Sequence, residues 1–361
     1  MSHKEFMLEA IREGELGRLT APPNPWVGAI IVKDNKIIGR GYHHAPGQPH
    51  AEIMAMKSVM HQEALVGATC YTTLEPCSHY GRTGPCCEAL VNAGITECVF
   101  GVRDPDLKVS GRGIEYLEDH GVKVFQVCEH EVQDSLRAYL HHRETSRPYV
   151  VLKSATTMDG KIACLDRTSQ WITGEQARSR VMRIRAESQA ILVGSGTVLA
   201  DNPRLTVRGD NTLPSQPIRV VVDRRGRLGQ HPDLNVFDSS AKTLIFTEDP
   251  TGYTALEDLK NVSVIFKLEV SLQDILDELG KRGIIQLMVE GGSEIHSSFL
   301  CENLVDEINL FVGATVFGRG VSWLNSTICE TISDAKFWNL ERVERLGNDV
   351  ELRYRRDEGT K

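Results

Sequence analysis

The chain has no run of about 18 apolar residues, which excludes an obvious membrane-spanning helix. It has no basic excess either: 41 Lys and Arg stand against 49 Asp and Glu, for a formal net charge of −8. No stripe of basic and aromatic residues appears. A nucleic-acid partner is therefore not expected, because phosphate contacts supply most of such affinity. The nine cysteines are an odd number in a long chain. That argues against a disulfide framework and for reduced thiols, some of them metal ligands. The opening residues MSHKEFMLEAIREGEL mix acidic and apolar side chains and read as an amphipathic helix, not an export signal. A cytoplasmic protein is expected. Internal repeats and low-complexity tracts are missing, and no G-x-G-x-x-G opens a helix after a strand, so a Rossmann domain is not supported.

What is present is an ordinary globular composition, 41% hydrophobic and 25% charged. The length of 361 residues suits two domains. In the first half, VGAIIV (27–32) and IIGRGY (37–42) flank a turn at Lys33-Asp34-Asn35-Lys36. A helix is expected from His50 to Met60, a strand at 69–74, a helix from Cys86 to Ala93 ended by Gly94, and a strand at 97–102. Helix and strand repeat through Val127, and a polar helix over 130–145 closes the half. Pro148 restrains the residue before it, and YVVLKSATT then starts a new pattern, so the domains are 1–147 and 148–361. The second half reads as helix 175–187, strands 190–193, 218–222 and 243–247, helix 271–280, strand 284–289 and a helix opening at Gly291-Gly292. Residues 201–217 read as a long loop, a common home for function. Both halves are layered α/β.

The strongest chemical signal is Pro49-His50-Ala51-Glu52 followed by TLEPCSHYGRTGPCC at 73–87. His50, Cys77 and Cys86 supply one imidazole and two thiolates. Three protein ligands leave a fourth tetrahedral position for water, the pattern of a catalytic zinc. Cys87 competes with Cys86, which is favoured because it follows Pro85. Zinc makes the water a nucleophile near neutral pH. Glu52, too close in sequence to His50 to share the ion easily, is placed to carry protons. His-x-Glu followed by Pro-Cys is the pattern of zinc deaminases that act on bases, although the usual Cys-x-x-Cys is here a Cys-x8-Cys. The other cysteines are scattered and read as core or incidental. His43, His44 and His79 lie in loops near the site by sequence.

Asn24-Pro25-x-Val27-Gly28, His50-Ala51-Glu52 and TLEPCSHYGRTGPC together resemble the bifunctional riboflavin-biosynthesis deaminase-reductases. The resemblance continues through LKSATTMDGKIA (152–163), SQWIT (169–173), VGSGTVLADNPRLTVR (193–208) and VEGG (289–292), nearly the whole chain. It explains the long loop between the cysteines. It departs at Gly84, where the family has a second proline; both ligands are kept. The resemblance implies a three-layer cytidine-deaminase-like domain followed by a dihydrofolate-reductase-like domain. The first, with Zn2+, removes the 2-amino group of 2,5-diamino-6-ribosylamino-4(3H)-pyrimidinone 5′-phosphate. The second, with NADPH, reduces the ribosyl chain to ribityl. It implies Asn24, His43, His79 and Arg82 around the deaminase substrate, with Arg82 on its phosphate. In the second half it implies Ser169, Arg185, Leu205, Arg208 and Glu290 on the substrate. Ala155, Trp171, Thr197, Asp201 and the run Gly292, Ser293, Glu294, Ile295, His296, Ser297, Ser298 would lie along NADPH.

Read for its own chemistry, Gly291-Gly292 before a helix suits a phosphate, as does Gly194-Ser195-Gly196, though each alone is a weak signal. Arginines 185, 204, 208, 224, 225 and 227 cluster near these loops. The family has Ser or Thr after Asp223 where this chain has Arg224, so Arg224 or Arg225 is expected on the cofactor 2′-phosphate. Lys153, Asp201 and Glu290 are the candidates for proton handling during hydride transfer; Lys153 and Asp201 are alternatively a structural ion pair. The alternative is a deaminase of nucleosides or tRNA with the second half as a recognition module. The acidic charge and missing aromatic-basic stripes speak against tRNA, NADPH binding by 148–361 separates the two readings, and Glu52 speaks against a purely structural zinc scaffold. A symmetric homo-oligomer is expected of such an enzyme.

Overall fold

The computed structural model describes residues 1–78, 80, 84–105, 111–209, 213–256 and 258–357, and the chain forms two compact units, Met1–Arg147 and Pro148–Lys361. No helix among the described residues is long and apolar enough to cross a membrane.

The first unit opens with α1 (His3–Glu15). The Ser2 hydroxyl accepts from the Glu5 amide and the Glu5 carboxylate accepts from the Ser2 amide, a reciprocal cap that starts the helix. Strands β1 (Gly28–Lys33) and β2 (Lys36–Tyr42) form a hairpin, with Asp34 and Asn35 at φ 48° and 59°. Two left-handed residues match the twist of antiparallel strands, so a short Asp-Asn turn suffices. Next come α2 (Ala51–Lys57), β3 (Thr69–Leu74), α3 (Cys86–Asn92), β4 (Glu97–Val102), α4 (Arg112–Asp119), β5 (Lys123–Gln126) and α5 (Glu129–Thr145). The sheet order is β2-β1-β3-β4-β5, with β3, β4 and β5 parallel. Helix α2 stops short of Met60; Ser58 caps it, and Met60 is exposed. A Cβ on Gly41 would lie 2.2 Å from the Ala55 amide nitrogen, so glycine in β2 lets α2 lie directly on the sheet.

The second unit contains β6 (Tyr149–Thr157), β7 (Lys161–Ala163), α6 (Glu175–Glu187), β8 (Ala190–Gly194), α7 (Ser195–Asp201), β9 (Ile218–Val222), β10 (Thr243–Thr247), β11 (Val262–Phe266), α8 (Leu272–Lys281), β12 (Gln286–Glu290), α9 (Ser293–Cys301), β13 (Glu307–Gly313), β14 (Val321–Ser322), β15 (Trp338–Leu346) and β16 (Asp349–Arg356). Its main sheet runs β11-β10-β9-β8-β12-β6-β13-β16-β15. All neighbours are parallel through β13; β16 and β15 add antiparallel. The inner parallel strands β8, β10 and β12 are largely buried apolar runs, such as Ala190-Ile191-Leu192-Val193, as in sheets covered on both faces. Their carboxyl ends, Val222, Gly194, Glu290 and Thr157 among them, share one edge, where open α/β sheets bind ligands.

Arg219 interrupts the apolar run of β9 and is fully buried. Its guanidinium donates to the carbonyls of Arg204, Val236 and Asp238, to the Asp238 carboxylate at 2.6 Å and to Ser240 Oγ at 2.6 Å. It thereby pins the chain on either side of β9. Arg219→Met removes the guanidinium from all of those acceptors at once, the Arg204 carbonyl and the Asp238 carboxylate foremost, and is expected to destabilise the second unit by about 3 kcal/mol or more. Urea denaturation measures this; an unchanged midpoint would show that other contacts hold the same loops.

Candidate functional site

In the first unit, two helix starts face each other. His50 is the N-cap of α2, and Cys86 is the first residue of α3, just after Pro85. Cys77 lies in the loop after β3. Its Sγ is 3.4 Å from His50 Nδ1, Cys86 Sγ is 3.3 Å from the same nitrogen, and the three ligand atoms lie within 4.8 Å of one another. Tetrahedral zinc with ordinary Zn–N and Zn–S bonds separates such atoms by about 3.5 Å, so the donor set fits the ion. The Cys86 amide donates to Cys77 Sγ at 3.3 Å and the Cys87 amide to the Cys77 carbonyl at 3.2 Å. These bonds close the loop between the ligands despite its eight intervening residues. Cys87 is not in the cluster.

Hydrogen bonding from Cys86 and His50 pulls the Cys77 thiol well below its usual range despite burial, while its bond to Cys77 and burial push the Cys86 thiol up. Glu52, 3% exposed, sits in the first turn of α2. Burial pushes its carboxyl up to about 7. A divalent ion at the three ligands opposes that shift, because positive charge favours the carboxylate.

Asn24 and His43 are joined. His43 Nδ1 is 3.2 Å from the Pro49 carbonyl, which can only accept, so Nδ1 carries the proton. Its Nε2 then accepts from Asn24 Nδ2 at 3.0 Å. Burial lowers the His43 pKa, so the ring stays neutral. It stands edge-on to the His50 ring, with centroids 5.6 Å apart. His79 and Arg82 lie outside the described residues. Glu75 was not anticipated as a site residue. Its carboxylate accepts from the Gly111 and Gly113 amides at 3.0 and 3.2 Å, and a Cβ on Gly113 would meet the Pro76 carbonyl. Glu75 thus ties the Pro76-Cys77 turn to α4. Its place within the Leu-Glu-Pro-Cys run was the available signal.

In the second unit, Lys153 on β6 and Glu290 on β12 are register partners. Arg185 of α6 clamps Glu290 with two bonds, Nε to Oε1 at 2.6 Å and Nη2 to Oε2 at 2.8 Å. Its Nη1 donates to the Thr206 carbonyl at 3.1 Å, next to Leu205, which is buried with φ 50°. Burial alone would raise the Glu290 carboxyl; the Arg185 charge outweighs it and holds Glu290 at about 2. Burial lowers the Lys153 ammonium, against the pull of Glu290. Lys153 is therefore coupled to Glu290 and Arg185. No ion pair joins it to Asp201 among the described residues, and Asp201 is exposed at the end of α7. The structural Lys153–Asp201 pair is thus corrected: the sheet register presents Lys153 to β12 instead.

Helices α7 and α9 start side by side. A Cβ on Gly292 would be 3.7 Å from Thr197 Oγ1, and one on Gly194 3.0 Å from Ile295 Cγ1. No side chain caps α9 at Gly292. An uncapped helix start beside glycines at the carboxyl edge of a parallel sheet suits a dinucleotide phosphate. The run Gly292–Ser298 divides. His296 is buried, donating from Nδ1 to the Trp323 carbonyl and accepting the Gly291 amide at Nε2, both at 3.3 Å. Burial lowers its pKa to about 4. Ser297 Oγ accepts from the Asn325 amide. These two brace the turn from within, Ser293 is buried, and Glu294 is exposed. Ala155 and Ser169 are half-buried and Arg208 is exposed. Trp171 is 67% exposed and stacks under Arg178, whose Cζ lies 4.7 Å from the ring centroid. Arg224 donates to the Val270 carbonyl.

Residues 1–102 match the family model described as the cytidine and deoxycytidylate deaminase zinc-binding region, and residues 148–352 match the RibD C-terminal domain. The chain is 43% identical over 353 residues to the riboflavin biosynthesis protein RibD of Chlamydia muridarum, covering 96% of this chain and 94% of that protein. It superimposes on Acinetobacter baumannii RibD with TM-score 0.89 at 35% identity, covering 99% of each chain. A Thermotoga maritima diaminohydroxyphosphoribosylaminopyrimidine deaminase/5-amino-6-(5-phosphoribosylamino)uracil reductase also superimposes with TM-score 0.89, at 36% identity, covering 98% of this chain and 99% of that one.

Proposed function

Given that the chain belongs to the RibD family of riboflavin-biosynthesis deaminase-reductases, we propose that its two units divide the two reactions and that the residues gathered above perform them. The protein is a bifunctional enzyme of riboflavin biosynthesis, with a zinc-dependent deaminase and an NADPH-dependent reductase and a small-molecule substrate. Its cytidine-deaminase-like domain precedes a dihydrofolate-reductase-like one.

Residues 1–147 carry the deamination. The convergence of His50, Cys77 and Cys86 beside buried Glu52 supports this. A zinc ion held by the three would supply Lewis-acid activation of water. Glu52 would carry the water's first proton to the ring nitrogen and its second, from the hydroxyl newly bonded to the ring carbon, to the amine that leaves as ammonia. Asn24 and neutral His43 present a fixed polar edge to the pyrimidine, and Arg82 takes the substrate phosphate, with His79 alongside.

Residues 148–361 carry the reduction. NADPH supplies a hydride to the ribosyl carbon when bound. Thr197, Asp201, Ala155, Trp171 and the start of α9 hold it, while Ser169, Leu205, Arg208 and the Arg185–Glu290 pair face the sugar phosphate. Lys153, with its lowered pKa, is the proton handler best supported by position. The negative net charge supports a chain without a nucleic-acid partner, and the enzyme works as a cytoplasmic homo-oligomer.

A paired assay tests the division. Purified protein given the diaminopyrimidine ribosyl phosphate should release ammonia without NADPH. On adding NADPH, oxidation should follow and depend on the deaminated product. Ammonia without oxidation would remove the reductase assignment; oxidation without prior ammonia would reverse the order.

A further inference from the structure

NADPH differs from NADH by one 2′-phosphate, and a guanidinium is suited to read it. Three arginines follow β9, and they differ in what they touch. Arg224 donates from Nε and Nη2 to the Val270 carbonyl at 3.3 and 3.1 Å, and Glu248 Oε1 lies 3.6 Å from its Nε. Its fork is engaged with the chain just before α8. Arg225 is exposed, with no partner among the described residues. Arg227 donates from Nη2 to Ser195 Oγ at 2.6 Å, and its Nε is 3.7 Å from Asp223 Oδ1. Asp223 is itself fixed, accepting from the Leu228 amide at 2.8 Å and the Tyr253 hydroxyl at 2.5 Å. The Arg227 side chain nonetheless stays 46% exposed. It is anchored, oriented and still reachable.

Its anchor matters. Ser195 opens α7, two residues before Thr197, and Thr197 is the side chain that borders Gly292. Arg227 is therefore held beside the pair of helix starts that suits a dinucleotide. Because Ser195 Oγ accepts from Arg227, its own hydroxyl proton remains available to donate.

We propose that Arg227, joined by Ser195 and in place of Arg224, recognises the 2′-phosphate of NADPH and sets the preference over NADH. This rests on the reading that α7 and α9 hold the dinucleotide. Preorganisation is the reason to choose Arg227: a guanidinium already tethered by one hydrogen bond loses less side-chain freedom on binding than free Arg225.

The test is equilibrium titration of the full chain with NADPH and with NADH, without pyrimidine substrate, by isothermal calorimetry. Arg227→Ala and Arg227→Gln should weaken NADPH by on the order of 10- to 100-fold while NADH changes by no more than about twofold. Arg227→Lys, which keeps the charge but loses the fork, should fall between, and carries the test if the neutral variants do not fold. Arg224→Ala should keep the wild-type ratio. The proposal is overturned if the Arg227 variants keep that ratio, or if Arg224→Ala or Arg225→Ala abolishes it. Gly292→Val separates the two levels. A Cβ there meets only Thr197 Oγ1, at 3.7 Å, and the valine methyls fill the gap beside Thr197, so binding of both cofactors should be lost. Wild-type binding of both by Gly292→Val would overturn the dinucleotide reading itself, whatever Arg227 does.

Discussion

Glu52→Gln keeps its zinc and loses deamination by about 1,000-fold or more, while reduction of pre-deaminated substrate continues at the wild-type rate. The substitution is nearly isosteric, so the first turn of α2 and the His50 position before it are retained. An amide cannot accept and return a proton, and at 3% exposure little bulk water reaches the carboxyl to replace it. Cys86→Ser is the contrast: it removes one of the three converging donors, so zinc and deamination disappear together. Metal analysis, ammonia release and NADPH oxidation on the same preparations make the comparison. Deamination by zinc-loaded Glu52→Gln within tenfold of wild type would remove Glu52 from the proton path.

The second large effect is expected from Arg185→Met. The Arg185 and Glu290 side chains are 11% and 12% exposed. Removing the cation leaves a carboxylate in a poorly solvated site, a change that costs about 3–5 kcal/mol in buried pairs. It also frees the Thr206 carbonyl and with it the turn around Leu205. The second unit should unfold at lower urea and reduction should fail, while deamination persists. Arg185→Met with Glu290→Leu should recover much of the stability without recovering reduction, because the buried carboxylate goes with its guanidinium and leaves only Lys153, whose ammonium burial already disfavours. If reduction recovers as well, the pair is purely structural.

The same pair predicts a pH dependence. Glu290 is held at about 2, below its usual 4.5. A depressed carboxylate stabilises fully above its unfolded pKa, and the contribution is lost as pH falls through the folded value. The stability gap between wild type and Arg185→Met should therefore be largest near neutral pH and narrow as pH falls, from where the unclamped Glu290 of the variant takes up its proton down to about pH 2. Urea midpoints of both proteins at pH 7 and pH 3 measure it; a gap that does not narrow would mean Glu290 is not the linked group.

Much of the deaminase centre was legible before any coordinates, because its parts are local. His50 and Glu52 occupy one helix start, Cys77 and Cys86 flank one loop, and the turn within Lys33–Lys36 is likewise a short-range pattern. The second half was less legible. Strands β7, β11, β13, β14, β15 and β16 went unread: β15 (WNLERVERL) is charged and mostly exposed, and is a strand because β16 pairs with it. Arg219 was missed although an arginine inside a valine-rich strand is itself a signal.

By itself the sequence singled out His50, Cys77 and Cys86 as candidate zinc ligands, Glu52 as the candidate acid-base carboxylate and a boundary near Pro148, since these signals sit in short stretches of chain. Only the tertiary structure decided the partners of the reductase charges. Arg185 reaches Glu290 across 105 positions, and Arg227 reaches Ser195 across 32. A long arginine side chain can serve any acceptor within reach. Which acceptor that is depends on a strand order that puts β12 between β8 and β6, and Lys153 opposite Glu290. Burial of the whole sheet selects that order, and no short stretch of residues encodes it.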